Sequence, residues 1–271
     1  MGQRLLRAVR LLGRRANMIS NKPVQNPAVL REFLLAFADD EHLMGQQHTE
    51  WIGVTPFLEE DLAFSSIGQD ELGHAVMLYE LVCELDDVEP TDRAIDALAF
   101  DRGADDYRSS AFTEYVTTDW AEALLRHWMY DLVEEARWDL VVTSSHVPLA
   151  NVSVRAHREE TYHRRHAQAL IDSLIETPAR AELERGLSVV LPKLPTLLSS
   201  VANEGVLIGE GVLAGSLATK APAILERISA AFPGAVLGQV PDDGRTARSE
   251  HFAPLLARMR EVLDLDPSAV W

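Results

Sequence analysis

Apolar residues recur every three to four positions in four long runs, and proline or glycine punctuates the gaps between them. The first run carries Leu30, Phe33, Leu34, Phe37, Met44 and Trp51; Pro23 and Pro27 open it, and Gly53 and Pro56 stop it. A second helix is predicted from Leu58 to Leu85, with Leu62, Ile67, Leu72, Val76, Leu81 and Leu85 as its stripe, and Pro90 closes it. Residues 87–108 are acidic and irregular around Gly103, which reads as a crossover with one short helix at 92–99. A third helix follows from Ala111 to Ser145, marked by Trp120, Leu124, Trp128, Leu132 and Trp138. Pro148 breaks the chain there, and a fourth helix runs from Asn151 to Ile175.

Short loops within each pair imply antiparallel neighbours, and a long crossover between the second and third helices is the connectivity of ferritin-like bundles. Strand signals are nearly absent. The predicted fold is therefore all-α: a ferritin-like four-helix bundle over 27–177 with additional C-terminal helices over 178–271. Those number three or four, interrupted by Pro192, Pro195, Pro222, Pro233 and Pro241. Residues 27–271 read as one helical domain behind a basic extension, 1–26, in which Arg4, Arg7, Arg10, Arg14, Arg15 and Lys22 face no acid. The extension lacks the continuous apolar stretch of a signal peptide and reads as a solvated terminal helix, the alternative being a basic helix docked on an acidic partner.

Composition narrows the function. At 47% hydrophobic, the 271-residue chain is too apolar for disorder. Its net charge of −17 repels phosphate backbones and anionic lipid, so neither nucleic acid nor a membrane is expected as a partner. No apolar run reaches the roughly 20 residues that cross a bilayer. Cys83 is the one cysteine, which excludes a disulfide framework and metal sites built on thiolates. A cytoplasmic protein is expected.

Two short motifs carry the chemistry. The second helix holds Asp70-Glu71-Leu72-Gly73-His74 and the fourth holds Glu159-Glu160-Thr161-Tyr162-His163. Each contains Glu-x-x-His, which places a carboxylate and an imidazole on one helical face where both can grip one metal ion. Chance supplies roughly 0.8 such matches in a chain of this composition, so the count alone is weak. Placement strengthens it, because the matches fall on alternate helices of four. A carboxylate-bridged two-metal site needs one more acid from each remaining helix. The first helix offers Glu50, on a stripe with Leu43 and Gln47, or Glu41, on the Leu34/His48 stripe. The third offers Asp131, embedded among Trp128, Leu124 and Trp138, ahead of Glu134, which points further round. Four carboxylates and two imidazoles suit iron or manganese.

At these residues the chain resembles the phenylacetic acid catabolic family, the ferritin-like di-iron components of phenylacetyl-CoA epoxidase. His48-Thr49-Glu50-Trp51, Gln69 to His74 and Glu159 to His163 are similar to the catalytic subunit. The resemblance assigns the metal ligands to Glu50, Glu71, His74, Asp131, Glu160 and His163, and so prefers Glu50 to Glu41. The segment Arg248 to Leu256 and the stretch Phe57 to Ala63 are similar instead to the structural subunit, whose ligands are degenerate. Coverage runs from about residue 38 to 175 and over the last 25 or so.

The resemblance implies a di-iron oxygenase that activates O2 to oxygenate a CoA-linked or other hydrophobic substrate. Electrons would come from a separate reductase, since no dinucleotide fingerprint is present: Gly209, Gly211 and Gly215 have the wrong spacing. The competing expectation is a scaffold subunit in a homo- or hetero-oligomer of ferritin-like chains. Arg155, Arg158, Arg164 and Arg165 are the candidate contacts for a CoA thioester, with a solvated helix face as the alternative. No pattern of acids in the sequence marks an inlet for iron.

Overall fold

The computed structural model describes residues 24–242 and 244–266; the basic extension lies, up to Pro23, outside the described residues, as does the terminal Trp271. In chain order the helices are α1 (Pro27–Thr49), α2 (Leu58–Leu85), α3 (Asp92–Phe100), α4 (Ala111–Glu114), α5 (Trp120–Val141) and α6 (Val147–Ile175). Behind them come α7 (Arg180–Val190), α8 (Leu194–Leu197), α9 (Gly205–Gly209), α10 (Ala221–Ala231), α11 (Phe252–Met259) and α12 (Glu261–Leu265). No strand occurs among the described residues, so the fold is all-α.

The bundle is two antiparallel hairpins. α1 packs along α2, α5 packs along α6, and α2 meets α6 to join the pairs. Where α1 and α2 cross, Gly45 faces Gly68, and a Cβ on Gly45 would lie 3.0 Å from the Gly68 carbonyl oxygen. Only glycine lets two helix backbones approach so closely. α5 is buried on nearly every side, because α7 and α10 cover the flank that the bundle does not. Its Leu124, Trp128 and Leu132 share one cluster with Leu183, Leu187, Ile224 and Ile228 from those helices. A second cluster joins Leu34, Phe37, Leu78 and Trp138 across α1, α2 and α5.

Several predicted boundaries move. The third helix is not continuous from Ala111: α4 ends at Glu114, and α5 begins only where the Asp119 side chain accepts from Glu122 N at 3.0 Å. Pro148 does not break the chain but sits in the first turn of α6, where its missing N–H costs nothing. Among the described residues, six short helices, not three or four, follow α6. Leu62 and Val76, read as core positions of α2, are 65% and 40% exposed, because its inward stripe is Ile67, Glu71, His74 and Leu78.

Candidate metal centre

The four bundle helices bring a carboxylate-rich cluster into the core. Glu41 comes from α1, Glu71 and His74 from α2, Asp131 from α5, and Glu160 and His163 from α6; all six are buried. Two overlapping groups have ligand atoms within 4.8 Å of one another: Glu41, Glu71, His74 and Glu160, and Glu71, Asp131 and His163. Glu71 belongs to both. Glu160 Oε1 stands 3.6 Å from His74 Nδ1 and 3.6 Å from His163 Nδ1, so it too faces both groups.

All eight carboxylate oxygens of Glu41, Glu71, Asp131 and Glu160 lack a hydrogen-bond partner, and so does Nδ1 of both histidines. Ten unpartnered polar atoms in a buried core are costly unless a cation meets them. The spacings fit that role. His74 Nδ1 lies 3.4 Å from Glu41 Oε2, and His163 Nδ1 lies 3.8 Å from Glu71 Oε1. Donors bound at about 2.1 Å around one ion stand roughly 3–3.7 Å apart, close to what is seen. The donor set therefore suits a divalent metal ion in each group.

The back of each imidazole is held by the opposite helix. His74 Nε2 on α2 donates to Glu159 Oε2 on α6 at 2.8 Å, and His163 Nε2 on α6 pairs with Asp70 Oδ2 on α2 at 3.2 Å. With Nε2 carrying the hydrogen, the Nδ1 lone pair turns inward, an assignment that follows from the hydrogen-bond network. The sequence reading gave Asp70 and Glu159 no role of their own, although each immediately precedes its Glu-x-x-His and contacts the opposite imidazole. Trp138 walls the site, with its ring 5.5 Å from His74 and 4.3 Å from Phe37.

Burial raises the pKa of Glu41, Glu71 and Asp131 well above the usual carboxylate range, and neighbouring acids add to it. Burial would also raise Glu160, but His163, together with His74 and His127, outweighs it and holds that carboxyl down. Against the same burial, Glu160 lifts His163 and Glu159 lifts His74 above the ordinary imidazole value. The metal-free cluster is thus a shared set of protons, which metal ions would displace.

A second layer anchors α1. Asp40, next to Glu41, accepts from Arg137 Nη2 at 3.0 Å and Arg245 Nη1 at 2.8 Å. Burial opposes its charge, yet the two guanidiniums bring its pKa below the usual value. Glu134 does not point away as the sequence suggested. It is fully buried, 3.3 Å from Arg137 Nε, and burial pushes its pKa up to about 7.

Glu50, expected as a ligand, lies apart from the other five. It falls at the C-cap of α1, where its Oε1 meets Arg258 Nε of α11 at 2.8 Å, and it belongs to neither group. Nine residues of helix carry it about 13 Å beyond Glu41. Glu41 occupies the first-helix place instead, because α1 and α2 are antiparallel and the Gly45–Gly68 crossing sets Glu41 level with Glu71. The candidate CoA contacts all lie on α6. Arg155 pairs with Glu159 at 3.1 Å, Arg164 pairs with Glu135, and Arg158 and Arg165 are exposed.

A family profile described as phenylacetic acid catabolic protein matches residues 16–271. The chain is also similar to a protein of Escherichia coli (strain K12) named as one subunit of 1,2-phenylacetyl-CoA epoxidase, at 28% identity over 145 residues. That stretch covers 54% of this chain and 57% of the relative, so a little over half of each is compared. With a profile match across nearly its whole length, the chain belongs to the phenylacetic acid catabolic protein family.

Proposed function

We propose that this chain holds two iron ions at Glu41, Glu71, His74, Asp131, Glu160 and His163 and serves as a di-iron oxygenase component acting on a CoA-linked or other hydrophobic substrate. The ten unpartnered donor atoms converging from four helices carry this reading. Bound there, reduced iron would supply the activation of O2, with electrons from a separate reductase. The chain's own residues do the rest. Glu41, Glu71, His74 and Glu160 would hold one ion, and Glu71, Asp131 and His163 the other, with Glu160 also within reach of His163. Glu159 and Asp70 keep both imidazoles in the ligating tautomer. Phe37 and Trp138 exclude water on one side.

An apolar cavity of about 380 Å³ at the end of the bundle, lined by Phe57, Trp120, Leu174 and Leu183, suits the hydrophobic part of a substrate. Trp120 packs on Phe64, with ring centres 5.0 Å apart, and Phe64 lies 5.3 Å from His127, the neighbour of Asp131.

Elemental analysis of the purified chain tests the reading: about two irons per chain are expected. Glu71→Ala and His163→Ala should each abolish loading while leaving helical content intact. Manganese in place of iron would keep the site and change the chemistry; folded protein that takes up neither would end the proposal. A second reading, a scaffold subunit of a multicomponent enzyme, draws support from the matched relative, which is named as one subunit of an epoxidase. Metal-free protein that binds a di-iron subunit tightly would favour it.

A further inference from the structure

Outside the six ligands, a row of imidazoles and one acid runs from the centre toward the surface. His127 on α5 lies one turn before Asp131, with Nδ1 3.3 Å from Asp131 Oδ1, and neither of its ring nitrogens has a hydrogen-bond partner. His166 on α6 lies one turn after His163, and its ring centre is 5.9 Å from that of His127. Its Nδ1 is unpartnered, while its Nε2 is 3.1 Å from Glu60 Oε2 on α2. The side chains of His166 and Glu60 are 16% and 10% exposed, so this pair marks the outer end, whereas His127 is fully buried.

We propose that Glu60, His166 and His127 hand a divalent metal ion inward from the surface to Asp131, and so form the loading route of the centre. The inference rests on the two-metal reading above. Carboxylate oxygen and imidazole nitrogen are the donor types of the centre itself, so each stop can bind the ion without holding it more tightly than the destination. The other acids at the rim are worse placed. Asp70 and Glu159 lie behind His163 and His74, bonded to the Nε2 atoms that face away from the cluster. An ion arriving there would have to displace a ligating ring, whereas both Asp131 oxygens are unpartnered and Oδ1 stands 3.3 Å from His127 Nδ1. His48, also buried and without a partner at either nitrogen, flanks the inner stop at 4.9 Å between ring centres. Phe64 packs on both rings, at 4.9 Å from His48 and 5.3 Å from His127.

The test is the rate of cobalt(II) uptake by the metal-free full-length chain, followed by absorbance after rapid mixing, in wild type, Glu60→Gln and His166→Gln. Loss of a charge or ligand at an inlet slows capture by about tenfold while leaving the destination unchanged. The expected result is slower loading in both variants, the same final cobalt per chain and the same thermal midpoint. The double variant should be little slower than either single, because both residues serve one step. Variants that load at the wild-type rate overturn the route and leave the centre intact. Variants that lose final stoichiometry without a change of rate also overturn it, because they would make the residues structural. A wild-type chain that takes up no cobalt removes the centre and the route together.

Discussion

A Cβ added to Gly45 would lie 3.0 Å from the Cβ of Glu71, so the spacing between α1 and α2 is set at the same level as a candidate ligand. In a free helix, alanine is favoured over glycine by about 1 kcal/mol. Here the new methyl also meets the Gly68 carbonyl oxygen at 3.0 Å, and that backbone cannot swing aside. Gly45→Ala should therefore destabilise the chain by roughly 1–3 kcal/mol in urea unfolding and weaken metal loading. A gain in stability with normal loading would show that the helices part without cost.

Glu41 and Glu50 separate the two assignments of the first helix. Glu41→Ala should lose metal, since it removes two inward oxygens of one group. Glu50→Ala should keep full metal content and lose no more than about 1 kcal/mol, because its Arg258 partner is largely exposed. Metal counts per chain decide between them, and the reverse pattern would return the ligand role to Glu50.

In the proposed centre, the acids behind the imidazoles would tune metal affinity without contributing a donor. Asp70→Asn and Glu159→Gln should each weaken metal binding by about 10- to 100-fold with the final stoichiometry retained. Competition against a chelator of known strength measures this. Unchanged affinity in both would mean that packing, not these hydrogen bonds, orients the rings.

Asp40 supports the centre through the backbone of α1. Asp40→Ala leaves Arg137 and Arg245 as buried guanidiniums without their shared carboxylate and should cost about 3–5 kcal/mol. Denaturant midpoints of metal-free protein give the number. A cost below 1 kcal/mol, on the order of an exposed pair, would show that water reaches the network.

His42 gives a pH dependence whose sign is fixed. It packs edge-on against Phe100 at 5.0 Å, and burial holds its pKa down to about 4. The unfolded chain titrates near 6.5, so folding is favoured above that pH and loses this contribution as pH falls from 6.5 toward 4. The full effect is roughly 3 kcal/mol. His42→Leu should flatten the stability of metal-free protein across that window relative to wild type. Parallel curves for the two proteins would contradict a neutral, buried ring.

How far the site was legible follows from which distances the chain controls locally. Glu71 with His74, and Glu160 with His163, are one turn apart on their own helices, and helical geometry alone places each pair on one face. Asp131 could be read from its apolar stripe, because a carboxylate set among tryptophans is costly unless a cation meets it. Glu41 could not be chosen over Glu50 by periodicity, since both lie on plausible stripes. Distance from the hairpin turn was the usable signal: in an antiparallel pair, partners of Glu71 lie about as far before the turn as Glu71 lies after it, which favours Glu41. The long crossover hid the start of α5, because Tyr115 to Thr118 read as a continuation of a helix that Asp119 in fact begins.

Sequence alone determined the helical class, the pairing of long helices and the two Glu-x-x-His grips, because each depends on residues within a few turns of one another. Only the tertiary structure decided the height at which four helices meet. That height put Glu41 in the cluster, sent Glu50 to Arg258, crossed Asp70 and Glu159 onto the opposite imidazoles, and aligned Glu60, His166 and His127. Register between helices is set by close contacts such as Gly45 on Gly68, and a contact between distant residues leaves no periodic trace in the chain that makes it.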